Sequence, residues 1–367
     1  MDKAIFFFIG TEAELIKLFP VMLELKNREK PFKLIASGQN DISESIIFKE
    51  TGCGNIDLEL SQEKRIRKST LGLMEWWTKT YRRSIHMIQE HFSDMNFRES
   101  LMVVHGDTIS TYMGARIGQK LGMNVCHIEA GLRSHHLFNP FPEEIDRLLT
   151  SRIAKMHFAP GEEAALNLRN VQGKVIDTKQ NTLLDSLRIS RTFPVAEHKV
   201  DRILASDKRY FIFVIHRQEN LANKKLVIKV VHIIEEQAKK RNVVIILHAI
   251  TKGALVKYGL FDRLRNNKNI ILLPRIGYFD FMKLLEASEF VITDGGSNQE
   301  ELFYMGKPTL ILRKTTERKE GIGKNAKLYQ TMDDIQEFAD SYDQLKQDVV
   351  IDGNPSMCIA DELLSWN

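Results

Sequence analysis

Residues 101–108 form the run Leu-Met-Val-Val-His-Gly-Asp-Thr, and residues 124–134 form the run Asn-Val-Cys-His-Ile-Glu-Ala-Gly-Leu-Arg-Ser. Each run opens with apolar residues that are largely unbroken by polar ones and then becomes polar. Short runs of this kind are typical of parallel strands covered on both faces by helices. The stretch between the two runs is helix-like, so the pair predicts a strand–helix–strand unit of an α/β fold.

The same alternation of apolar runs and helix-like stretches extends outward from this unit. Two further runs precede it, and a second series of five follows it, at residues 5–9, 32–36, 210–215, 242–247, 269–273, 290–293 and 308–312. Two series of strands predict two Rossmann-like, doubly wound domains. The polar stretch 171–208 separates the series, so we expect a first domain over residues 1–175 and a second over 176–354. Residues 355–367 are predicted to form a short amphipathic helix that packs on the first domain.

Composition narrows the range of functions. The 367 residues suffice for two domains, and the net charge of +4 comes from basic and acidic residues interspersed along the chain, which argues against a nucleic-acid-binding arm. Three widely separated cysteines without a CxxC spacing exclude a disulfide framework and a zinc cluster, and indicate a reducing cytoplasm. The apolar run 4–9 is too short to span a membrane.

Acidic residues follow the two strands quoted first. Asp107 and Glu129 come directly after consecutive strands, and Glu143 follows an aromatic, proline-rich loop, with Arg147 one helical turn later. An acid after a strand can simply cap a helix. Three acids that converge on one cleft raise one another's pKa, and they provide the acid and base that proton transfer requires. We therefore expect a catalytic acid cluster where the carboxyl ends of the two sets of strands face a central cleft.

The second half carries features suited to an anion. Gly295, Gly296 and Ser297 lie between a strand and a helix, where glycines allow close approach and the helix start favours a diphosphate. Glu301 on that helix can accept hydrogen bonds from ribose hydroxyls. Arg313 begins a basic loop, residues 313–318, at the same edge of the sheet.

Three strand ends leave alternatives open. His216 and Arg217 follow the first strand of the second series and suit a phosphate or a general acid, although His216 could merely satisfy a turn. His248 ends the next strand and has the same alternatives. The loop at Gly10 has one glycine where a dinucleotide fingerprint has three, so NAD is not indicated. Gly10 makes either a tight turn or a loop whose amides face a ligand.

Taken together, these motifs resemble the UDP-N-acetylglucosamine 2-epimerase family, and the resemblance covers nearly the whole chain. The motifs are Gly10-Thr11, His105-Gly106-Asp107-Thr108, His127-Ile128-Glu129-Ala130-Gly131-Leu132-Arg133, Pro142-Glu143-Glu144, His216-Arg217, Gln299-Glu300-Glu301, Gly306-Lys307-Pro308 and Thr315-Thr316-Glu317-Arg318. The resemblance implies a GT-B-type fold and an enzyme. The intact Glu-Ala-Gly-Leu-Arg and Pro-Glu-Glu stretches resemble the non-hydrolysing branch, which makes UDP-N-acetylmannosamine.

The resemblance also implies roles for residues. The catalytic candidates are Asp107, Glu129, Glu143 and His216. The candidates for substrate binding are Gly10, Lys17, Arg133, Arg147, Arg217, His248, Gly295, Gly296, Ser297, Glu301 and Arg313. The implied partner is a UDP-N-acetylhexosamine, without metal, cofactor, nucleic acid or membrane span, and the implied assembly is a homodimer.

Three departures from the family pattern stand beside the resemblance. Glu12-Ala13 replaces an Arg-Pro pair, Gln39-Asn40-Asp41 replaces the Gln-His-Arg of a regulatory site, and Asp294-Gly295-Gly296-Ser297 replaces Asp-Ser-Gly-Gly. Related UDP-sugars therefore stay open as substrates. A hydrolysing 2-epimerase, a GT-B glycosyltransferase and a nucleotide-sugar sensor are the alternative functions.

Overall fold

The computed structural model describes residues 2–61, 70–135, 142–316 and 318–366. They form two compact units. The first unit contains the residues up to Ser186 together with those from Gly353 onward, and the second contains Leu187–Asp352. Each unit is built on a parallel sheet with helices, which confirms the predicted α/β fold of two doubly wound domains.

The sheet of the first unit has seven parallel strands in the order β3-β2-β1-β4-β5-β6-β7. Its strands are β1 (Ile5–Ile9), β2 (Phe32–Ala36), β3 (Leu58–Glu59), β4 (Leu101–His105), β5 (Asn124–Ile128), β6 (Met156–Ala159) and β7 (Lys174–Asp177). The apolar runs predicted the five-residue strands β1, β2, β4 and β5. β3, β6 and β7 were not predicted, because β3 has two residues, β6 contains His157 and β7 has polar residues at both ends, so none of them forms an unbroken apolar run.

The side chains of β1 show why an unbroken apolar run forms a central strand. Phe6, Phe7 and Phe8 are all buried. Successive side chains of a strand point to opposite faces, and Phe6 contacts Phe92 with ring centroids 5.1 Å apart while Phe7 contacts Phe32 at 5.3 Å. Both faces of β1 are therefore covered, and each buried ring contributes about 1.5–3 kcal/mol to folding.

Helices alternate with the strands of the first unit along the chain. They are α1 (Glu12–Asn27), α2 (Ile46–Thr51), α3 (Thr70–His91), α4 (Ile109–Leu121), α5 (Glu143–Ile153), α6 (Glu162–Asn167) and α7 (Leu183–Ser190), which crosses into the second unit, with a short 3-10 helix at Phe97–Glu99. Even the 22-residue α3 carries Lys79, Arg82 and Arg83 along its length. None of the helices within the described ranges is long and apolar enough to cross a membrane.

The sheet of the second unit has six parallel strands in the order β10-β9-β8-β11-β12-β13. They are β8 (Tyr210–Val214), β9 (Asn242–Leu247), β10 (Ile270–Pro274), β11 (Val291–Thr293), β12 (Thr309–Ile311) and β13 (Ala326–Leu328). β13 was not predicted, because it is an edge strand of three residues with Lys327 in its centre, paired only with β12.

Helices alternate with the strands of the second unit along the chain, beginning with a helix that precedes β8. They are α8 (His198–Leu204), α9 (Gln218–Ala222), α10 (Lys224–Gln237), α11 (Ala249–Lys257), α12 (Phe261–Arg265), α13 (Tyr278–Ala287), α14 (Gly296–Tyr304) and α15 (Asp333–Ser341), with a 3-10 helix at Tyr342–Leu345. The chain then returns to the first unit. There α16 (Pro355–Ser365) lies against α1, with an ion pair of 2.5 Å between Arg28 and Asp361. Asn367, at the end of the predicted terminal helix, lies outside the described residues.

The strand order reverses once in each sheet. In the first unit the reversal lies between β1 and β4, and in the second it lies between β8 and β11. Open parallel sheets bind ligands beyond the carboxyl ends of their strands at such switch points. The loops that follow these four strands are therefore the place where functional residues are expected.

Candidate active site

A buried carboxylate, Glu14, joins the loops at the first switch point. Its Oε2 atom accepts hydrogen bonds from the Gly10 and Thr11 amides at 2.5 and 2.9 Å, and its Oε1 atom accepts hydrogen bonds from the Thr108 and Thr111 hydroxyls. Burial raises the pKa of Glu14 by more than these hydrogen bonds lower it. Thr11 caps α1 in return, which completes a capping box. The loop after β1 is thereby fixed to the loop after β4.

This clamp bears on the two alternatives for the Gly10 loop. The amides of Gly10 and Thr11 are bonded to Glu14, which favours a tight turn. Glycine is required at position 10 because a Cβ there would collide with the Ser110 side chain. Glu12, which stands where the family has Arg, accepts a hydrogen bond of 2.7 Å from Ser45 at the start of α2. A contact between Gly10 and substrate stays a prediction.

Glu129 follows β5 in a strained, buried position. Its φ of 62° is left-handed, and the residue is buried. A non-glycine residue there is uncommon and is often associated with function. Lys17 on α1 and Asn181, which follows β7, both donate to its Oε2 atom. His105 Nε2 lies 3.9 Å from the same oxygen. Three elements therefore hold this carboxylate.

Asp107 lies at the end of the adjacent strand and pairs with Arg147. The Arg147 side chain, on α5, donates through Nη2 to Asp107 and through Nη1 to the Leu132 carbonyl at 2.8 Å. Glu143 begins the same helix. The aromatic, proline-rich loop before Pro142 lies outside the described residues over positions 136–141.

Asp146, three residues after Glu143, shows that the acids lie close together. Burial and, to a smaller extent, the charges of Asp107 and Glu143 raise the pKa of Asp146 to about 7. Glu129 is near the same loop, because a Cβ at Gly106 would lie 3.7 Å from Glu129 Oε1. The structure therefore brings Asp107, Glu129 and Glu143 to one edge of the first sheet.

His127 supports this edge from inside the sheet. Burial lowers the pKa of its imidazole to about 3, so the ring is neutral at physiological pH. Its Nε2 atom lies 2.7 Å from the Gly106 carbonyl, and the neutral ring can donate a hydrogen bond there. The ring thus fixes the peptide bond between Gly106 and Asp107. Arg133, a predicted substrate-binding residue, donates a hydrogen bond of 2.5 Å from Nε to Glu144 Oε1.

A second buried carboxylate, Asp294, joins the loops at the other switch point. It follows β11 and accepts hydrogen bonds from the amides of His216 and Arg217 at 3.0 and 2.9 Å and from the Asn220 side chain at 3.0 Å. Its own carbonyl accepts a hydrogen bond from Arg217 Nε at 3.0 Å. With no exposed surface, Asp294 fixes the turn that carries His216 and Arg217.

His216 and His248 stack on each other at the ends of β8 and β9. Their ring centroids are 4.8 Å apart, and His216 Nδ1 lies 3.2 Å from Asp294 Oδ1. Burial lowers the pKa of His248, and the charges of His216 and Arg275 lower it further. The two predicted histidines therefore form one cluster, which Arg275 adjoins.

The glycine turn opens directly into α14. The helix begins at Gly296, and the Gly295 amide donates to Thr293 Oγ1 at 3.0 Å. A Cβ at Gly295 would lie 2.7 Å from Asn298 Oδ1, so any other residue would require the Asn298 side chain to shift. None of the described residues accepts a hydrogen bond from the amides of Gly296, Ser297 or Asn298. Free amides at a helix start are a binding site for an anion.

The two glutamates of α14 have different surroundings. Glu300 bonds to Arg318 and to the Tyr304 hydroxyl at 2.9 Å. Glu301, also buried, accepts a hydrogen bond of 3.1 Å from Asn298. Arg313 lies 3.5 Å from Thr316 Oγ1. Glu317, in the basic loop predicted from the sequence, lies outside the described residues.

Several residues of these clusters were not among the predicted site residues: Glu14, Asp146, Asn181, Asn220 and Asp294. A signal existed for Glu14, since Thr11 and Glu14 have the spacing of a capping box. Asp146 lies one helical turn from Glu143. The others become recognisable only through distant contacts. The described residues contain no group of three or more His, Cys, Asp or Glu side chains arranged to hold a metal ion.

Comparison with known proteins shows the family to which the chain belongs. The family model for UDP-N-acetylglucosamine 2-epimerase matches residues 23–355. The UDP-N-acetylglucosamine 2-epimerase of Methanocaldococcus jannaschii is 30% identical over 329 residues, which cover 87% of this chain and 86% of that protein. A crystal structure of the M. jannaschii UDP-GlcNAc 2-epimerase with UDP-GlcNAc and UDP matches with a TM-score of 0.77 and 28% identity, over 98% of this chain and 99% of that one.

The UDP-GlcNAc 2-epimerase of Neisseria meningitidis bound to UDP-GlcNAc matches with a TM-score of 0.78 and 28% identity, over 99% of each chain. The structural similarity thus extends over nearly the whole chain, with both sheets included. It confirms the resemblance and the enzyme class predicted from the sequence: the chain belongs to the UDP-N-acetylglucosamine 2-epimerase family.

Proposed function

We propose that this chain is a non-hydrolysing UDP-N-acetylglucosamine 2-epimerase, which interconverts UDP-N-acetylglucosamine and UDP-N-acetylmannosamine. The observation that carries the proposal is a division of chemistry between the units. Acids, among them the buried Glu129, converge at the switch point of the first unit, and free helix amides are present at that of the second. A reaction that moves a proton on a sugar while a diphosphate leaves and returns requires both.

The chemistry of C2 explains why the diphosphate must leave. The C2 proton of an N-acetylhexosamine is not acidic, since no carbonyl is adjacent to C2. Breaking the C1–O bond creates an oxocarbenium-like centre that acidifies this proton. A carboxylate then removes the proton, leaving 2-acetamidoglucal and UDP, and a proton delivered to the other face followed by the return of UDP gives the epimer.

Asp107, Glu129 and Glu143 are the proposed acid and base groups. Arg147 holds Asp107, and Lys17 holds Glu129. Each charged partner fixes a carboxylate in one orientation, which a proton transfer between fixed atoms requires. Lys17 and Arg147 are thus proposed to act on the sugar mainly through the acids they hold, with Arg133 contributing through Glu144.

The residues of the second unit are proposed to bind UDP. The free amides at Gly296 and Ser297 would accept the diphosphate and stabilise it as it leaves, because a helix start carries partial positive charge. His216, Arg217, His248 and Arg313 would add donors around the same group. Glu301 would accept hydrogen bonds from the ribose hydroxyls.

The non-hydrolysing outcome is supported by the intact Glu-Ala-Gly-Leu-Arg and Pro-Glu-Glu stretches. A hydrolysing enzyme would let water capture the intermediate and release UDP with free N-acetylmannosamine. Phosphorus NMR of the purified chain with UDP-N-acetylglucosamine distinguishes the two outcomes. We expect a second UDP-sugar resonance without accumulation of UDP, and accumulated UDP would refute the non-hydrolysing assignment.

Turnover in heavy water tests the elimination itself. A proton taken by a carboxylate exchanges with solvent or is replaced by one from another group, so the product should carry deuterium at C2. Proton NMR of the product measures this directly. Epimer formed without solvent deuterium would exclude elimination and re-addition, and a chain that acts only with an added acceptor would be a glycosyltransferase instead.

A further inference from the structure

Asp146 is a buried acid that the proposed reaction does not use. It lies on the first turn of α5, between Glu143 and Arg147. The residue is only 6% exposed, and its Oδ2 atom has no hydrogen-bond partner among the residues that the structure describes. Burial and the charges of Asp107 and Glu143 raise its pKa to about 7. A buried carboxyl group without a partner is stable mainly in its neutral form.

Glu144, on the same turn, provides the contrast. Its Oε1 atom accepts a hydrogen bond of 2.5 Å from Arg133, and its Oε2 atom accepts one of 3.0 Å from the Ser134 amide. Burial raises its pKa, but the hydrogen bonds from Ser134 and Arg133 outweigh burial and bring the pKa below its ordinary value. Two acids two positions apart on one helix therefore favour opposite charge states, because the described residues supply donors to both oxygens of Glu144 and none to Asp146 Oδ2.

Arg147 does not supply the missing donor to Asp146. Its Nη2 atom bonds to Asp107 and its Nη1 atom bonds to the Leu132 carbonyl at 2.8 Å. Helix α4 and strand β5 also pack against α5. Their titratable residues are Tyr112, Arg116, Lys120, Cys126 and His127, and Glu129 follows β5. Burial keeps Cys126 and His127 neutral, since it raises the pKa of the thiol and lowers that of the imidazole.

We propose that Asp146 is a positioning residue that must be uncharged for epimerisation to proceed. As a neutral acid it adds no charge beside Asp107 and Glu143. In its ionised form it adds a further negative charge to these acids, which disfavours the ionised carboxylate that must act as the base. The inference rests on the proposed function, because the acids that Asp146 adjoins are those assigned to proton transfer.

The pH profile of kcat/KM tests this role in the full chain. Because one ionisation inactivates the enzyme, wild-type kcat/KM should fall about tenfold for each pH unit above pH 7. The Asp146→Asn variant is permanently neutral, so it should stay active and lose this limb. Asp94→Asn, at an exposed position of the same unit, should keep it. An unchanged limb in Asp146→Asn overturns the proposal, as does a variant inactive at every pH, which would mean that the Asp146 proton itself is transferred.

Unfolding experiments test the charge state without any activity. The folded-state pKa of Asp146 is raised above its ordinary value of 3.8. Protonation of Asp146 therefore contributes its full stabilisation of the folded state below pH 3.8, and this contribution is lost as the pH rises to about 7. Asp146→Asn removes this dependence, so its melting temperature should rise relative to wild type between pH 4 and pH 7.5.

Fluorescence of Trp76, Trp77 and Trp366 follows this melting, since the three tryptophans of the chain all belong to the first unit. A constant difference between variant and wild type across the pH range would overturn the neutral state. This melting test also separates two failures. Absence of turnover by the wild type refutes the proposed function, whereas the melting comparison still decides the state of Asp146.

Discussion

The loops at the two switch points are each organised by one buried carboxylate, Glu14 in the first unit and Asp294 in the second. Glu14 accepts hydrogen bonds from the Gly10 and Thr11 amides, which open its own helix. Asp294 instead accepts hydrogen bonds from the His216 and Arg217 amides, which follow the neighbouring strand. A buried carboxylate thus binds backbone amides in both units, but these amides precede its own helix in the first unit and follow the neighbouring strand in the second.

This difference separates the chemistry of the units. At the start of α1, Glu14 accepts hydrogen bonds from the Gly10 and Thr11 amides that precede the helix, and Thr11 caps the Glu14 amide, so fewer amides of this turn are left for an anion. The start of α14 keeps the amides of Gly296, Ser297 and Asn298 free of partners among the described residues. An anion therefore finds donors in the second unit, while the first unit gathers carboxylates. The predictions below test this separation.

The largest effect is expected from the acids of the first unit. Asp107→Asn, Glu129→Gln and Glu143→Gln should each reduce turnover about 100-fold or more, because each removes a positioned acid or base. UDP affinity, measured by calorimetry, should change less than about twofold, since the free amides lie in the second unit. The exposed Asp94→Asn is the matched control. A parallel loss of UDP affinity would break the proposed separation.

Asp294→Asn should destabilise the fold more than Glu14→Gln. Both Asp294 oxygens face N–H donors, so an amide NH₂ would meet another donor, at a cost of about 3 kcal/mol. One Glu14 oxygen faces hydroxyls, which can turn and accept, so Glu14→Gln should cost about 1 kcal/mol.

Urea unfolding measures both variants. Circular dichroism follows the whole chain, and tryptophan fluorescence follows the first unit alone. Asp294→Asn should shift the dichroism transition, and Glu14→Gln should produce the smaller shift, visible in fluorescence. Equal losses in the two variants would show that the orientation of the donors does not distinguish the two carboxylates.

A smaller effect is expected on nucleotide affinity. Glu301→Ala should weaken UDP binding by about 2 kcal/mol, or roughly 30-fold, because it removes charge-assisted hydrogen bonds to ribose. Calorimetric titration with UDP measures the change. Glu14→Gln serves as the control and should leave UDP affinity unaltered. Unchanged affinity in Glu301→Ala would refute the ribose contact.

The smallest expected effect is that of a second UDP-sugar as activator. The family resemblance places a regulatory Gln-His-Arg where this chain has Gln39-Asn40-Asp41. Here Gln39 accepts hydrogen bonds from Ser110, and Asp41 accepts them from Ser43. Turnover started from UDP-N-acetylmannosamine alone should show no lag. A long lag that a trace of UDP-N-acetylglucosamine abolishes would contradict this.

Much of the fold was predictable because parallel strands buried on both faces require unbroken apolar runs. The Phe6-Phe7-Phe8 run is an example, whereas the edge strand Ala326–Leu328 needs no such run and was missed. The candidate site was predictable in part for a related reason. Residues that follow parallel strands, such as Asp107 in the first unit and His216 in the second, must lie at the carboxyl edge of their own sheet.

The sequence by itself determined where the strands end and which acids, histidines and glycines follow them, because periodicity and spacing are properties of the chain. Only the tertiary structure decided the states of these groups. Glu144 and Asp146 lie on the same turn, yet among the described residues Glu144 has two donors whereas Asp146 Oδ2 has none. The partners of Asp294 come from a loop more than 70 residues away in sequence. Burial and long-range hydrogen bonds determine which groups are charged and which amides remain free. Both arise only once the elements have packed.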